Sequence, residues 1–470
     1  MPAEAKPVLY RLIRVVVKAA MAIFFQKMEV RHGEVIPERG PVVFVANHPN
    51  SIMDALVMGL VTRRKVNYVG HAGLFSNRLK SWFLRSCGVI PIYRKEDAPE
   101  KMDQNVYAFE ACYRTLEKGE TIGIFPEGTS DMLRKVKKVK TGAARIVLEA
   151  ERRNNYRLGV QIIPIGLYFF SRSRFRSRVL LNVGKPLDLR PYFELNEKDN
   201  YEAVARLTAE IQRSLEQLTV NIRHEELDEL VRDIELLYRD ELKSETAGML
   251  GHSPPTVAEF VLTQKIADCV EYFYERDRER IRQLHEKITL YKRKLKRLHL
   301  KDAMVKEKTS FSETVKESMR SMVKALLGFP LACYGIVNNF IPYAITETIA
   351  KRFVNDRTKI LSALLIGGGV SFLFFYWVQV FAVGFFFGHL WGLIYLVSLP
   401  VSGMFALAYV KEVREEQKRI SFSFFLFTNR QLFNRMRRER RLLISELDAI
   451  KEEYLRVIGL SSPDLMGATG

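Results

Sequence analysis

Pro41-Val42-Val43-Phe44-Val45-Ala46, continued at once by Asn47-His48-Pro49-Asn50-Ser51-Ile52-Met53-Asp54, is the stretch that decides how this 470-residue chain is read. Its first part is apolar, rich in β-branched residues and preceded by Gly40, which is how a buried strand is written. Its second part is polar and turn-forming and leads into a helical pattern over 55–60. Further apolar runs occur at 65–69, 89–93, 121–125, 160–167 and 179–183, and helical stretches such as 104–117 and 141–151 lie between them. Strands alternating with helices predict an α/β domain with a mostly buried sheet over residues 30–195. Polar residues directly after such strands are candidate ligand positions, because α/β domains bind at strand ends.

Three of these loops carry chemistry. In the first, His48 needs little perturbation to act as a base near neutral pH, and a carboxylate on its other nitrogen fixes the tautomer. A loop-to-helix turn places Asp54 within reach of that role, although an incidental histidine beside a helix-capping residue fits the same spacing. No serine or cysteine nucleophile stands in a recognisable setting, so direct activation of a substrate hydroxyl fits better than a covalent intermediate. The second loop ends a strand with Arg94 and Lys95, cations suited either to a phosphate or simply to solvent. The third, Phe125-Pro126-Glu127-Gly128-Thr129-Ser130-Asp131, is either a plain turn or a place where Gly128 admits a ligand to the backbone and Glu127 accepts from substrate hydroxyls. Lys140 closes a basic run, 135–140, that opens a helix, and helix N-termini attract anions.

Taken in order, Asn47-His48…Asp54, Gly88-Val89-Ile90-Pro91-Ile92-Tyr93-Arg94, Ile124-Phe125-Pro126-Glu127-Gly128-Thr129 and Val160-Gln161-Ile162-Ile163-Pro164-Ile165-Gly166 resemble the four blocks of the glycerolipid (PlsC-type) acyltransferase family. The resemblance covers residues 30–195. It implies that His48 and Asp54 are the catalytic pair, that Arg94, Glu127 and Gly128, with Thr129 beside them, bind a glycerophosphate, and that the fourth block lines the acyl or thioester site. Two departures stand out. Five residues separate His48 from Asp54 where the family has four, and Ser130-Asp131 stand where the third block continues to an arginine. Both resemble the glycerol-3-phosphate/dihydroxyacetone-phosphate acyltransferase subset, which carries a C-terminal membrane extension; phosphate binding then rests on Arg94, Lys95 and Lys140.

The remainder of the chain points to a membrane. No Asp, Glu, Lys or Arg occurs from Ile360 to Val410, a run more than twice the ~20 residues that one crossing needs. Glycines around 384–392 divide it, predicting two transmembrane helices at 360–383 and 391–410. Cations on both flanks, Lys351 and Arg352 before and Lys411 and Arg414 after, place both ends in the cytoplasm by the positive-inside rule. Residues 321–350 are apolar but hold Pro330, Pro342 and Asn338-Asn339, which predicts an interfacial or re-entrant segment because backbone and amide groups would go unsatisfied in lipid. Residues 196–320 read as a charged helical region and 411–470 as a cytosolic basic helical tail. Residues 1–29 form an N-terminal amphipathic helix with Arg11, Arg14 and Lys18 on one stripe, either facing lipid phosphates or packed on the domain.

The formal net charge of +19 favours an anionic partner. Nucleic acid is not expected, since no recognition motif accompanies the charge. Cys87, Cys112, Cys269 and Cys333 lack metal or disulfide spacing, so no metal and no cofactor are expected. The expected function is transfer of a fatty acyl group from acyl-CoA or acyl-carrier protein to glycerol 3-phosphate or a lysophospholipid such as lysophosphatidate, by an integral membrane protein whose catalytic domain faces the cytoplasm. The alternative is a catalytically inactive membrane-anchored binding or scaffold protein.

Overall fold

The computed structural model describes residues 7–94, 98–246, 254–298, 300, 302–306, 311–352, 354, 356–428 and 430–459. In chain order the elements are α1 (Pro7–Phe24), β1 (Lys27–Arg31), β2 (Val42–Ala46), α2 (Ile52–Met58), β3 (Val66–His71), α3 (Arg78–Ser86), β4 (Ile90–Ile92), α4 (Asn105–Glu117), β5 (Thr121–Ile124), α5 (Gly142–Arg153), β6 (Gln161–Phe169), β7 (Arg178–Val183), α6 (Arg190–Lys198) and α7 (Asn200–Leu218). There follow α8 (Leu227–Thr246), α9 (Pro255–Arg276), α10 (Arg278–Arg297), α11 (Asp302–Lys306), α12 (Phe311–Arg352), α13 (Ile360–Phe387), α14 (His389–Thr428) and α15 (Arg430–Val457). They fall into two compact units, the described residues of 1–228, 252–268 and 355–362, and those of 229–251, 269–354 and 363–470.

The first unit is an α/β domain on a seven-stranded sheet of order β1-β7-β6-β2-β5-β3-β4. β2 lies between β5 and β6, parallel to both, and all its side chains are buried. This is why its sequence is continuously apolar instead of alternating. β3 continues the parallel set beyond β5, with β4 outside it. Only β7 runs antiparallel to its neighbour β6. The carboxyl ends of β2, β3, β4, β5 and β6 therefore share one end of the sheet, where the candidate loops emerge.

Ile146, Val147 and Ala150 of α5, with Leu207, Ile211 and Leu215 of α7, pack with Val43 and Val45 in one apolar core. α7 thus belongs to this unit. The buried carboxylate of Glu151 accepts from Val160 N at 2.6 Å and Leu158 N at 3.2 Å, fixing the start of β6. Two local readings change. β1 begins at Lys27, inside the stretch assigned to the N-terminal helix, and pairs in parallel with β7. Arg14 turns inward and donates to Gly59 O at 3.1 Å, Arg64 O at 3.3 Å and Thr62 O, so the basic stripe of α1 is partly a docking contact with the domain. Leu12, Val15, Val16 and Ile23 face outward instead.

In the second unit, α8, α10, α11 and α15 are charged helices held by apolar seams and ion pairs. Lys287 meets Glu446 at 2.8 Å, Lys294 meets Glu439 at 2.8 Å, and the buried Arg440 meets Asp302 and Glu241 at 3.0 and 2.9 Å. Three helices are long and apolar enough to cross a membrane, over Met319–Ala350, Arg357–Phe387 and His389–Gln417. The last two are parted at Gly388, whose φ of 93° breaks the helix.

The segment 321–350, expected to be interfacial or re-entrant, runs as one helix through Pro330 and Pro342, and polar groups expected to be unsatisfied find partners within α12 and on α13 and α14. Pro342 cannot donate to the carbonyl of Asn338, and Gln379 Nε2 donates to that oxygen at 3.0 Å instead. Asn338 Oδ1 accepts from the Tyr395 hydroxyl at 2.5 Å, and Asn339 Oδ1 from the Tyr376 hydroxyl at 2.6 Å. Asn339 Nδ2 reaches Leu399 O at 3.3 Å. A Cβ on Gly403 would strike the Asn339 amide, so the glycine permits this close approach of α12 and α14.

Candidate active site

His48 follows β2, and its Nδ1 lies 2.8 Å from Asp54 Oδ2 in the first turn of α2. The same carboxylate oxygen accepts from Asn50 N at 2.7 Å. Asp54 is fully buried, and burial raises its pKa, opposed by His48 and the Asn50 amide. Between His48 and Asp54 the chain turns at Ser51, which has φ 53° and ψ −127°. It occupies the first central position of a turn closed by Met53 N donating to Asn50 O at 3.2 Å, a conformation usually given to glycine.

The imidazole stacks on Phe125 at the end of β5, with centroids 4.2 Å apart and planes 14° from parallel. With Nδ1 on Asp54, Nε2 has no hydrogen-bond partner among the described residues, and the side chain is partly open to solvent. A neutral imidazole donating through Nδ1 presents a free lone pair at Nε2, the arrangement of a general base.

Glu127, expected to receive substrate hydroxyls, joins two loops through its carboxylate. It is 5% exposed; Oε1 accepts from His48 N at 2.9 Å and Oε2 from Lys137 N at 3.1 Å. Burial pushes its pKa up to about 6. Asp131 N donates to His48 O at 3.1 Å, so both backbone polar groups of His48 are tied to the loop after β5.

Arg94, from the end of β4, donates through Nη1 to Gly128 O at 2.5 Å. Gly128 has φ 75°, and a Cβ there would lie 3.1 Å from Lys140 Nζ. Arg94, Gly128 and Lys140 are thus brought together, while Thr129 lies exposed beside them. Lys95 lies outside the described residues. Asp131, next to the Ser130 that follows Gly128-Thr129, pairs with Lys137 at 2.7 Å.

Sequence reasoning missed Phe125 as the platform for the imidazole. It also missed Asn47, whose amide exchanges hydrogen bonds with Leu167 N and O at 2.7 and 3.1 Å and so binds the His48 loop to β6. Arg172, after β6, donates to Leu133 O at 2.9 Å and to Met132 O. Nothing local marks it, because its partners lie some forty residues away.

Residues 27–168 match the family model described as Acyltransferase. This stretch is an acyltransferase-family domain. The acyltransferase domain has relatives among characterised and uncharacterised proteins. An uncharacterized acyltransferase of Schizosaccharomyces pombe is 32% identical over 210 residues, covering 44% of this chain and 29% of that protein. Glycerol-3-phosphate O-acyltransferase 1 of Saccharomyces cerevisiae is 26% identical over 263 residues, covering 55% of this chain and 32% of that protein. The chain therefore spans about a third of the length of these relatives. The crystal structure of the 1-acyl-sn-glycerophosphate (LPA) acyltransferase PlsC from Thermotoga maritima aligns with a TM-score of 0.33 and 22% identity, over 44% of this chain and 79% of that one.

Proposed function

We propose that the protein transfers a fatty acyl group from a thioester, acyl-CoA or acyl-carrier protein, to a hydroxyl of a glycerophosphate-type acceptor, glycerol 3-phosphate or lysophosphatidate. The observation that carries this reading is the His48–Asp54 pair at 2.8 Å, its open Nε2 set at the same end of the sheet as Arg94, Gly128 and Lys140. Nε2 takes the acceptor proton as the hydroxyl oxygen attacks the thioester carbonyl carbon. The carbon–sulfur bond then breaks, and the departing thiolate takes the proton back from the imidazolium. Buried Asp54 stabilises that imidazolium between the two transfers. Arg94 and Lys140 supply positive charge for the acceptor phosphate, with Lys95 as a further candidate beside Arg94.

We also propose that the acyltransferase domain lies on the cytoplasmic face of a membrane. The ion pairs joining α10 and α15 link residues before α12 to residues after α14. Those residues occupy one side, so the three apolar helices make an even number of crossings. The cations at 351–359 and 411–419 assign the cytoplasm to the side that holds them.

The deciding experiment is acyl transfer by the detergent-solubilised protein and its His48→Ala variant, offered labelled palmitoyl-CoA or acyl-carrier protein with glycerol 3-phosphate or lysophosphatidate. Product from one acceptor with the parent and none with the variant supports the reading and names the acceptor. No product with any pair, or equal activity in the variant, overturns it in favour of a membrane-anchored binding protein.

A further inference from the structure

We propose that α3 and the turn before it form a docking face for an anionic lipid surface. α3 packs the wrong way round for an ordinary amphipathic helix. Leu79, Trp82 and Phe83, spaced to share one face, are 75%, 51% and 44% exposed, and Leu74 just ahead of them is 42% exposed. Ser86 is buried, and the Arg85 guanidinium lies 5.5 Å over the Phe75 ring on the protein side. Asn77 fixes the start of the helix, accepting from Lys80 N at 2.8 Å.

Charge selects the occupant. Between Asp54 and Glu96 the sequence has no acidic residue, and of the cations in that interval Arg78, Lys80 and Arg85 belong to α3, while Arg64 donates to Pro37 O and Gly119 O and Lys65 pairs with Glu120 elsewhere on the domain. Arg78 and Lys80 are exposed on α3 itself. A tryptophan and two large apolar side chains between exposed cations suit the headgroup boundary of a bilayer, where indole is enriched and cations meet phosphate. The chain also holds helices apolar enough to cross a bilayer, so that surface is at hand. Because α3 follows β3, whose carboxyl end is shared with β2 and β5, docking sets the His48 end of the sheet close to the lipid. A product with acyl chains then passes into the bilayer without crossing water.

The test uses the full chain in nanodiscs containing phosphatidylglycerol, with Trp377→Phe and Trp391→Phe so that Trp82 is the sole tryptophan. Bromine-labelled phospholipid, with bromines high or low on the acyl chain, is expected to quench its emission by about twofold, the shallow label more strongly. Water-like emission without quenching overturns the proposal. So does blue-shifted emission that brominated lipid leaves unchanged, which means that protein covers the face. Quenching by brominated acyl-CoA alone also overturns it, making the face an acyl-donor surface. A second arm, which rests on the acyltransferase reading, compares Leu79→Glu/Phe83→Glu with the parent. Transfer to a bilayer-borne acceptor is expected to fall about tenfold while transfer to a water-soluble one persists; equal loss on both overturns docking as the cause. If no acyl transfer occurs at all, the quenching arm still decides the docking face.

Discussion

His48 Nδ1 and Asp54 Oδ2 meet at 2.8 Å across five intervening residues, and the chain turns between them at Ser51 through a left-handed φ of 53°. The contact is with a fully buried carboxylate, so its loss is not made good by water. Asp54→Asn is expected to lower the acyl-transfer rate on the order of a hundredfold to ten-thousandfold, by favouring the wrong imidazole tautomer. The thermal transition should fall as well, because the oxygen facing His48 Nδ1 is the one that accepts from Asn50 N, and an amide NH2 placed there leaves Asn50 N without its acceptor. A rate within a factor of a few of the parent would remove Asp54 from the mechanism.

Ser51 holds a backbone conformation that L side chains rarely adopt, with φ 53°. Ser51→Gly relieves it and is expected to stabilise the protein by about 1 kcal/mol while leaving activity intact. Thermal unfolding of the two proteins in the same detergent checks this; a lower midpoint for the glycine variant would show that the serine is not strained.

Burial lifts Glu127 to about 6 from an ordinary 4.5. The native state therefore holds this proton more tightly than the unfolded chain, and stability falls as pH rises from about 4.5 through 6. The fall amounts to roughly 2 kcal/mol. Glu127→Gln lacks that slope, but its amide cannot accept from both His48 N and Lys137 N, so activity should drop through a loosened base. Denaturant titrations of both proteins across the pH window, with kcat at neutral pH, separate the two effects.

Gln379 replaces the donor that Pro342 removes from α12. Gln379→Leu is expected to cost about 1 kcal/mol of resistance to unfolding in detergent. Adding Pro342→Ala restores a backbone N–H for the Asn338 carbonyl and should recover part of the loss. Simple additivity of the two changes would show that they do not act on one oxygen.

Cysteines introduced at the exposed positions Lys296 and Arg438 are expected to react from the same side of sealed vesicles with a membrane-impermeant maleimide. Labelling from opposite sides would mean an odd number of crossings and would break the α10–α15 pairing.

The sheet was readable where burial made it so. β2, β5 and nearly all of β6 are buried, and their sequences are dominated by apolar residues, without a break in β2. β1, Lys-Met-Glu-Val-Arg, is an edge strand with charged residues at every second position, so its text carries little of the apolar signal, and its partner β7 lies far along the chain. In the site, His48, Asp54, Arg94 and Gly128 could be named because each follows a strand. The task of Glu127 could not, since it depends on two backbone amides from separate loops. The continuity of α12 was not legible for a related reason: the side chains that answer Pro342 and Asn338 come from α13 and α14, and a local window contains neither.

The grip on His48 through its own N–H and C=O has a consequence for how such a protein changes over time. Main-chain groups belong to every residue, so the base is anchored by contacts that substitution at most neighbouring positions cannot erase. Exposed Thr129 can therefore change without disturbing the proton-transfer machinery, whereas Val136 is buried in the core and Arg134 pairs with Asp228. Fixed chemistry and open recognition sit in the same loop, parted by whether a position touches His48.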